Sequence, residues 1–203
     1  MKSLIVWDLE TTGFVDNPDA RIIEIGAVVI RDGEVHSEQS WVLNHGIEIP
    51  EKITEITGIT KEIIEEEGVN PDIALSEFIR LLVESDLHLT HNGFKFDIPF
   101  LIKQLKAIPG TPDHSFNFFQ QCLEANGLDS AVMYKARQLD MKIKEGESVK
   151  QFADRVMNVR AKGVFFNVGH CCDDLGISRE GVEQHRALAD VKLTWEIFKK
   201  LIV

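Results

Sequence analysis

The 203-residue sequence predicts an α/β domain. Three observations carry that prediction. The chain opens with three segments rich in β-branched and aromatic residues, changes to helical spacing at Pro50, and later returns to one short apolar strand between helices. Residues 3–8, 22–31 and 35–43 read as strands, and Asp32-Gly33 between the second and third is a hairpin signal, so the chain should begin as an antiparallel meander.

Ile53, Ile56, Ile63 and Ile64 then give one helical run from Pro50, and Pro71 starts a second with Ile73, Leu75, Phe78, Ile79 and Leu82. Residues 87–91 form a short buried strand leading into Asn92-Gly93, and Ile98, Leu101, Ile102 and Leu105 mark the next helix. Residues 109–166 mix polar and apolar positions and read as an elaboration within one domain spanning 1–203. Helices are expected there near 114–126, 129–139 and 149–160. A short helix at 167–175 ends at Gly176, and Ala187 to Ile202 forms a strongly amphipathic last helix.

Composition narrows the function. Thirty-three acidic side chains against 22 basic ones give a formal charge of −11, which disfavours gripping a duplex along its length and leaves room for a protein that works on a nucleic-acid end. The apolar start at residues 3–7 is shorter than the roughly 7–15 residues of a secretory core, and no apolar run approaches the roughly 20 residues that cross a bilayer. Three cysteines without a C-x-x-C spacing read as reduced thiols, so a cytoplasmic protein with no membrane partner is expected.

The chemistry lies in acids at unusual places. Asp8 and Glu10 close an apolar strand two residues apart, so the pleat turns both to one face, and Thr11-Thr12-Gly13 adds hydroxyls and backbone N–H groups suited to a phosphate or a terminal sugar. Asp97 follows the later strand at a helix start, where an ordinary N-cap would also explain it. His185 precedes the last helix and Asp190 sits on its first turns, where an exposed acid is equally ordinary.

Taken together, four acids from three segments make sense if they converge around divalent cations, because like charges in one place repel. Magnesium suits an oxygen-only donor set, two such ions suit phosphodiester cleavage, and the imidazole of His185 can take the proton from the attacking water. Zinc is disfavoured, since its His and Cys ligands lack usable spacing.

Asp8-Leu9-Glu10-Thr11-Thr12-Gly13, the segment Asn92 to Asp97, and His185 five positions before Asp190 resemble, in order, the three motifs of the DEDDh 3′–5′ exonucleases. That family includes the proofreading subunit of bacterial DNA polymerase III, RNase T and oligoribonuclease. Residues 21–27 resemble its second strand, and Ile56-Thr57-Gly58-Ile59 its nucleotide-contacting turn. The tyrosine subclass would place Tyr where this chain has Arg186.

The resemblance implies an RNase H-like core with a mixed five-stranded sheet and helices on both faces. It implies that Asp8, Glu10, Asp97 and Asp190 ligate two Mg²⁺ ions, with Mn²⁺ able to substitute, and that His185 is the general base. Leu9, Thr11, Ile56, Asn92 and Phe96 would contact the terminal nucleotide, with a plain core position as the alternative for Phe96. The implied activity is release of nucleoside 5′-monophosphates from the 3′ end of single-stranded DNA or RNA; DNA is expected to be slightly favoured over RNA. The alternatives are an RNA-trimming oligoribonuclease and a proofreading subunit docked on a DNA polymerase.

The central segment departs from the pattern. Asp129 and Ala136-Arg137 match family elements, but Ser130 stands where threonine is expected. Lys135, Arg137, Lys142, Lys144, Lys150, Arg155, Arg160 and Lys162 collect positive charge that would guide a strand or simply face solvent. Phe116, Phe118 and Phe119 read as a buried helix face, and the His170-Cys171-Cys172 cluster as packing.

Overall fold

The structure is a computed structural model describing residues 3–108, 113–182 and 185–203. The first residues of the elaboration, 109–112, lie outside the described residues. Strands β1 (Ser3–Thr11), β2 (Ile22–Arg31) and β3 (Glu34–Val42) form the expected antiparallel meander. Asp32 and Gly33 take positive φ at the hairpin between the last two. Strands β4 (Leu87–Thr90) and β5 (Gly127–Asp129) add in parallel on the far side of β1. Among the described residues the sheet therefore has five strands in the order β3-β2-β1-β4-β5, with β1 at its centre.

Period-2 alternation along β1 decides what each face does. Ile5, Trp7 and Leu9 enter the larger core, where Leu75 and Phe78 of α3 (Pro71–Glu84) and Ile98 and Leu101 of α4 (Asp97–Lys106) meet them. Val6 faces the other way, against Val191 and Trp195 of α9 (Ala187–Leu201). Asp8 and Glu10 share the parity of Val6 and so share its α9 face. The sheet thus carries helices on both faces.

Two sequence expectations need correction, and one strand had no local signal. The run from Pro50 to Ile64 is two helices, α1 (Glu51–Thr57) and α2 (Lys61–Glu67). Gly58 turns left-handed at φ 70° to close the first, and the Thr60 side chain caps the second by accepting from the Ile63 N–H. Strand β1 continues three residues beyond Asp8, so the two acids lie within the strand and not at its end. Strand β5 has only three residues, too few for a periodic signal, and its place in the sheet comes from pairing Thr90 with Asp129.

The elaboration is helical. It contains α5 (Asp113–Asn126), α6 (Ser130–Gln138) and α7 (Val149–Asn158), the last started by a reciprocal cap between Ser148 and Gln151, and it leads to α8 (Val168–Asp174). Phe116 is buried as expected, but Phe118 is 70% exposed, because only one side of α5 meets the core. Cys171 and Cys172 are fully buried, and burial pushes their thiols up to about 12 and about 11, consistent with packing. No helix among the described residues is long and apolar enough to cross a membrane.

Candidate metal centre

The sheet and α9 bring three of the predicted acids together. One carboxylate oxygen from each of Asp8, Glu10 and Asp190 lies within 4.8 Å of the others. Asp97, at the first position of α4, is buried and reaches the same strand from the side, its Oδ1 accepting from the Leu9 backbone N–H at 3.2 Å. Mutual proximity shows in their protonation. Burial, then Asp97 and Glu10, hold the Asp8 carboxyl well above the usual carboxylate range. Burial, then Asp190 and Glu24, push Glu10 up to about 8. Burial, then Asp129, push Asp97 up to about 7.

Without a cation such a cluster holds protons that isolated carboxyls would have lost at neutral pH. An all-oxygen donor set of this density fits a hard divalent cation, which would neutralise the repulsion and draw the acids into their ionised form.

Two further buried carboxylates build the frame and were not predicted as site residues. Glu24, on β2 directly across from Glu10, is only 1% exposed. Its oxygens accept from Ser40 Oγ at 2.9 Å, from Arg186 Nε and Nη2 at 2.9–3.1 Å, and from the Ala187 backbone N–H at 2.9 Å. Arg186 follows His185 and Ala187 opens α9, so Glu24 fixes both the helix that carries Asp190 and the residue that adjoins His185. Gly26, two residues on, permits that seat: a Cβ there would lie 2.4 Å from the Ala187 carbonyl carbon.

The second is Asp129, whose Oδ1 accepts from the N–H groups of Asn92, Ala131 and Val132 and whose Oδ2 accepts from that of Phe94. It caps α6 and ties down the loop that delivers Asp97. Ser130 fills the threonine position by donating to the Thr90 carbonyl and meeting His91 Nδ1 at 2.8 Å.

His185 is exposed at the mouth of the cluster with φ 63°, a left-handed conformation uncommon for a side-chain-bearing residue. The Asp190 carboxylate accepts from its backbone N–H, which pins the turn and leaves the ring at the surface.

The remaining predicted residues are dispersed around this centre. Leu9 points into the core at 4% exposure, so only its backbone reaches the site. Thr11 is buried with its hydroxyl donating to the Gly13 carbonyl. Ile56 is 44% exposed on α1, beyond the β2–β3 side. Asn92 takes φ 66° in the loop ahead of Asp97, and half-buried Phe96 packs on Phe100 with ring centroids 5.8 Å apart.

Much of the basic segment is already engaged within the fold. Lys135 Nζ is buried and donates to the Met157 and Val159 carbonyls, Arg155 pairs with Glu147, Lys150 pairs with Asp154, and Arg137 reaches the Lys200 carbonyl.

The RNase_T family profile, described as Exonuclease, matches residues 5–198. The DNA polymerase III PolC-type protein of Clostridium perfringens is 32% identical over 195 residues, 96% of this chain and 11% of that protein. The 3′-5′ exonuclease DinG of Bacillus subtilis is 34% identical over 101 residues, 50% of this chain and 10% of that protein. The chain therefore spans about a tenth of the length of these curated relatives. The fold matches that of E. coli exonuclease I in its single-stranded DNA complex, with a TM-score of 0.73 and 16% identity over 100% of this chain and 40% of that one.

Proposed function

From the premise that the chain belongs to the RNase_T exonuclease family, we propose that it removes nucleoside 5′-monophosphates one at a time from the 3′ end of single-stranded nucleic acid, with DNA favoured over RNA. The observation that carries this reading is the meeting of Asp8, Glu10 and Asp190 within 4.8 Å, with Asp97 beside them. Asp8, Glu10, Asp97 and Asp190 would hold two Mg²⁺ ions, with Mn²⁺ as a substitute. When bound, such ions would offset the charge that develops on the phosphoryl oxygens.

The chain's own groups supply the rest. His185, exposed beside the cluster, accepts a proton from the attacking water through its imidazole. The water oxygen bonds to the terminal phosphorus, the bond from phosphorus to the 3′ oxygen of the preceding nucleotide breaks, and that oxygen takes a proton from solvent. Asp190 orients His185 through the backbone bond and stabilises the imidazolium that forms. Ile56, Asn92 and Phe96 line the approach of the terminal nucleotide, with Leu9 and Thr11 contributing backbone.

A shallow site that reads a free 3′ end needs little basic surface, which reconciles a charge of −11 with this substrate. The preference for DNA draws support from the similarity to PolC-type polymerases and to exonuclease I, and the former also favours a second reading as a proofreading unit working beside a polymerase. The test is digestion of matched 5′-labelled single-stranded DNA, duplex DNA and RNA in Mg²⁺ and in chelator. A one-nucleotide ladder on single strands that vanishes in chelator supports the reading. Internal cuts, or digestion unaffected by chelator, overturn it.

A further inference from the structure

The last helix begins without a cap of its own. Arg186 stands at the N-cap of α9, where Ser, Thr, Asp or Asn would ordinarily accept from the first free N–H groups, and its side chain makes no capping bond. The acceptor comes from another element. Glu24 of β2, 163 positions earlier in the chain, takes the Ala187 N–H on Oε2 at 2.9 Å, and its two oxygens together hold the Arg186 guanidinium through Nε and Nη2. A strand carboxylate therefore caps the helix in trans, at the end where the helix dipole favours a negative charge.

That cap bears on the turn carrying His185. The His185 backbone is left-handed at φ 63°, a conformation that costs a side-chain-bearing residue free energy and persists only where neighbouring bonds enforce it. Two carboxylates enforce it from the C-terminal side. Asp190, in the first turns of α9, reaches back to the His185 N–H, and Glu24 fixes the next two residues through the Arg186 side chain and the Ala187 N–H. The two are not equivalent. Asp190 belongs to the acid cluster, so its oxygens would be shared with any cation bound there, whereas Glu24 gives its bonds to Ser40, Arg186 and Ala187.

Burial stiffens this grip. Glu24 is almost fully enclosed, Ala187 is fully buried, and the absence of a side chain at Gly26 lets the same helix start lie directly on β2. A carboxylate so enclosed, holding a guanidinium through two nitrogens, fixes direction as well as distance.

Resting on the exonuclease reading above, we propose that Glu24, together with Arg186, is a positioning residue of the hydrolytic step: by capping α9 in trans it holds the His185 turn and so aims the imidazole at the attacking water. Glu24 touches neither the substrate nor the reacting atoms. Its effect on turnover passes through His185, a role separate from its share in stability.

The experiment is a double-mutant cycle on a 5′-labelled single-stranded 20-mer, at Mg²⁺ saturating for each protein and well below every melting temperature. Glu24→Gln and Arg186→Lys are each made in the parent and in His185→Ala. In the parent background kcat should fall roughly 10-fold with KM held within about twofold, as expected for a base moved out of line. In His185→Ala, where no imidazole remains to be aimed, the same substitutions should lower kcat by less than about twofold. Arg186→Lys keeps the charge and gives up one of the two nitrogens, so it carries the test if Glu24→Gln fails to fold.

A second loss of roughly 10-fold in the His185→Ala background overturns the positioning role, because a merely structural carboxylate acts independently of the base. A loss carried by KM, or kcat unchanged in both variants, overturns it as well. If His185→Ala itself turns over like the parent, there is no base to position, and the role falls while the exonuclease reading stands. If the parent yields no ladder in Mg²⁺, that reading falls and the positioning role with it.

Discussion

Glu10 and Glu24 face each other across the β1–β2 pair, yet their surroundings differ in kind. Glu24 is gripped by Ser40, Arg186 and the Ala187 N–H, so its charge is met in full by donors of the fold. Glu10 sits beside Asp8 and Asp190, and burial, then Asp190, Glu24 and Asp97, push it up to about 8 against an opposing pull from Arg186. Buried acids are ordinary when the fold supplies the donors. An acid that the fold leaves in repulsion stores free energy that a ligand can release, and such a site is held together by its frame at the expense of stability. Glu24 and Asp129 are that frame.

Exchanging the acid for its amide should separate the two classes. Asp8→Asn should lower exonuclease turnover on the order of 10³-fold or more, with a melting temperature at pH 8 no lower than the parent's, because a repelling charge is removed. Calorimetry beside a gel assay reads both quantities. Glu24→Gln should do the opposite in proportion. Stability measured by urea denaturation should fall on the order of 2–4 kcal/mol, since the amide has no charge to set against Arg186 and only one acceptor oxygen where the carboxylate has two, and turnover should fall less than in Asp8→Asn. Equal stability of the two variants would erase the distinction drawn here.

Gly26→Ala tests the frame without touching charge. Its new Cβ would collide with the backbone at the start of α9, and a loss of roughly 1–3 kcal/mol is expected by the same denaturation measurement.

The pH dependence is smaller and has a definite sign. Glu10 and Asp97 have folded pKa values of about 8 and about 7, above their ordinary values of 4.5 and 3.8. Between those limits the folded state binds more protons, so in chelator the melting temperature should fall as pH rises from about 5 to about 8.5, and millimolar Mg²⁺ should flatten the fall. His88 contributes the reverse slope on the acid side. Burial lowers it from 6.5 to about 4, so its share of stability is present above 6.5 and is lost as pH drops toward 4. Lys144→Ala, on an exposed position of the elaboration, should change stability by less than about 0.5 kcal/mol.

The sequence made some of this legible for physical reasons. Period-2 spacing placed Asp8 and Glu10 on one face because a strand has no other way to present them, and the amphipathic pattern from Ala187 marked α9 because its apolar stripe must cover the sheet. The meeting of Asp190 with β1 came from family order and not from local pattern, since no rule of periodicity brings positions 182 residues apart into one pocket. Glu24 was hidden because an acid inside an apolar strand carries no local mark of the arginine that will meet it. Its one signal was its place in a fully apolar run, where an acid needs a partner. Family resemblance marked a turn at residues 56–59, but the helical spacing of the isoleucines runs straight across Gly58, and that spacing merged α1 with α2. The seating of residues 157–166 was unreadable because its anchors are backbone carbonyls bound by distant side chains, and carbonyls leave no trace in residue identity.

The central claim is that the convergent acids bind divalent cations and do chemistry on a 3′ end. Its most direct measurement is titration calorimetry of Mg²⁺ into the parent protein and into Asp8→Asn, run beside a one-hour digest of the same samples with a 5′-labelled single strand. Saturable binding and a 3′-shortening ladder in the parent, both lost in Asp8→Asn, is the predicted result. Full digestion by Asp8→Asn, or Mg²⁺ uptake identical in the two proteins, would contradict it.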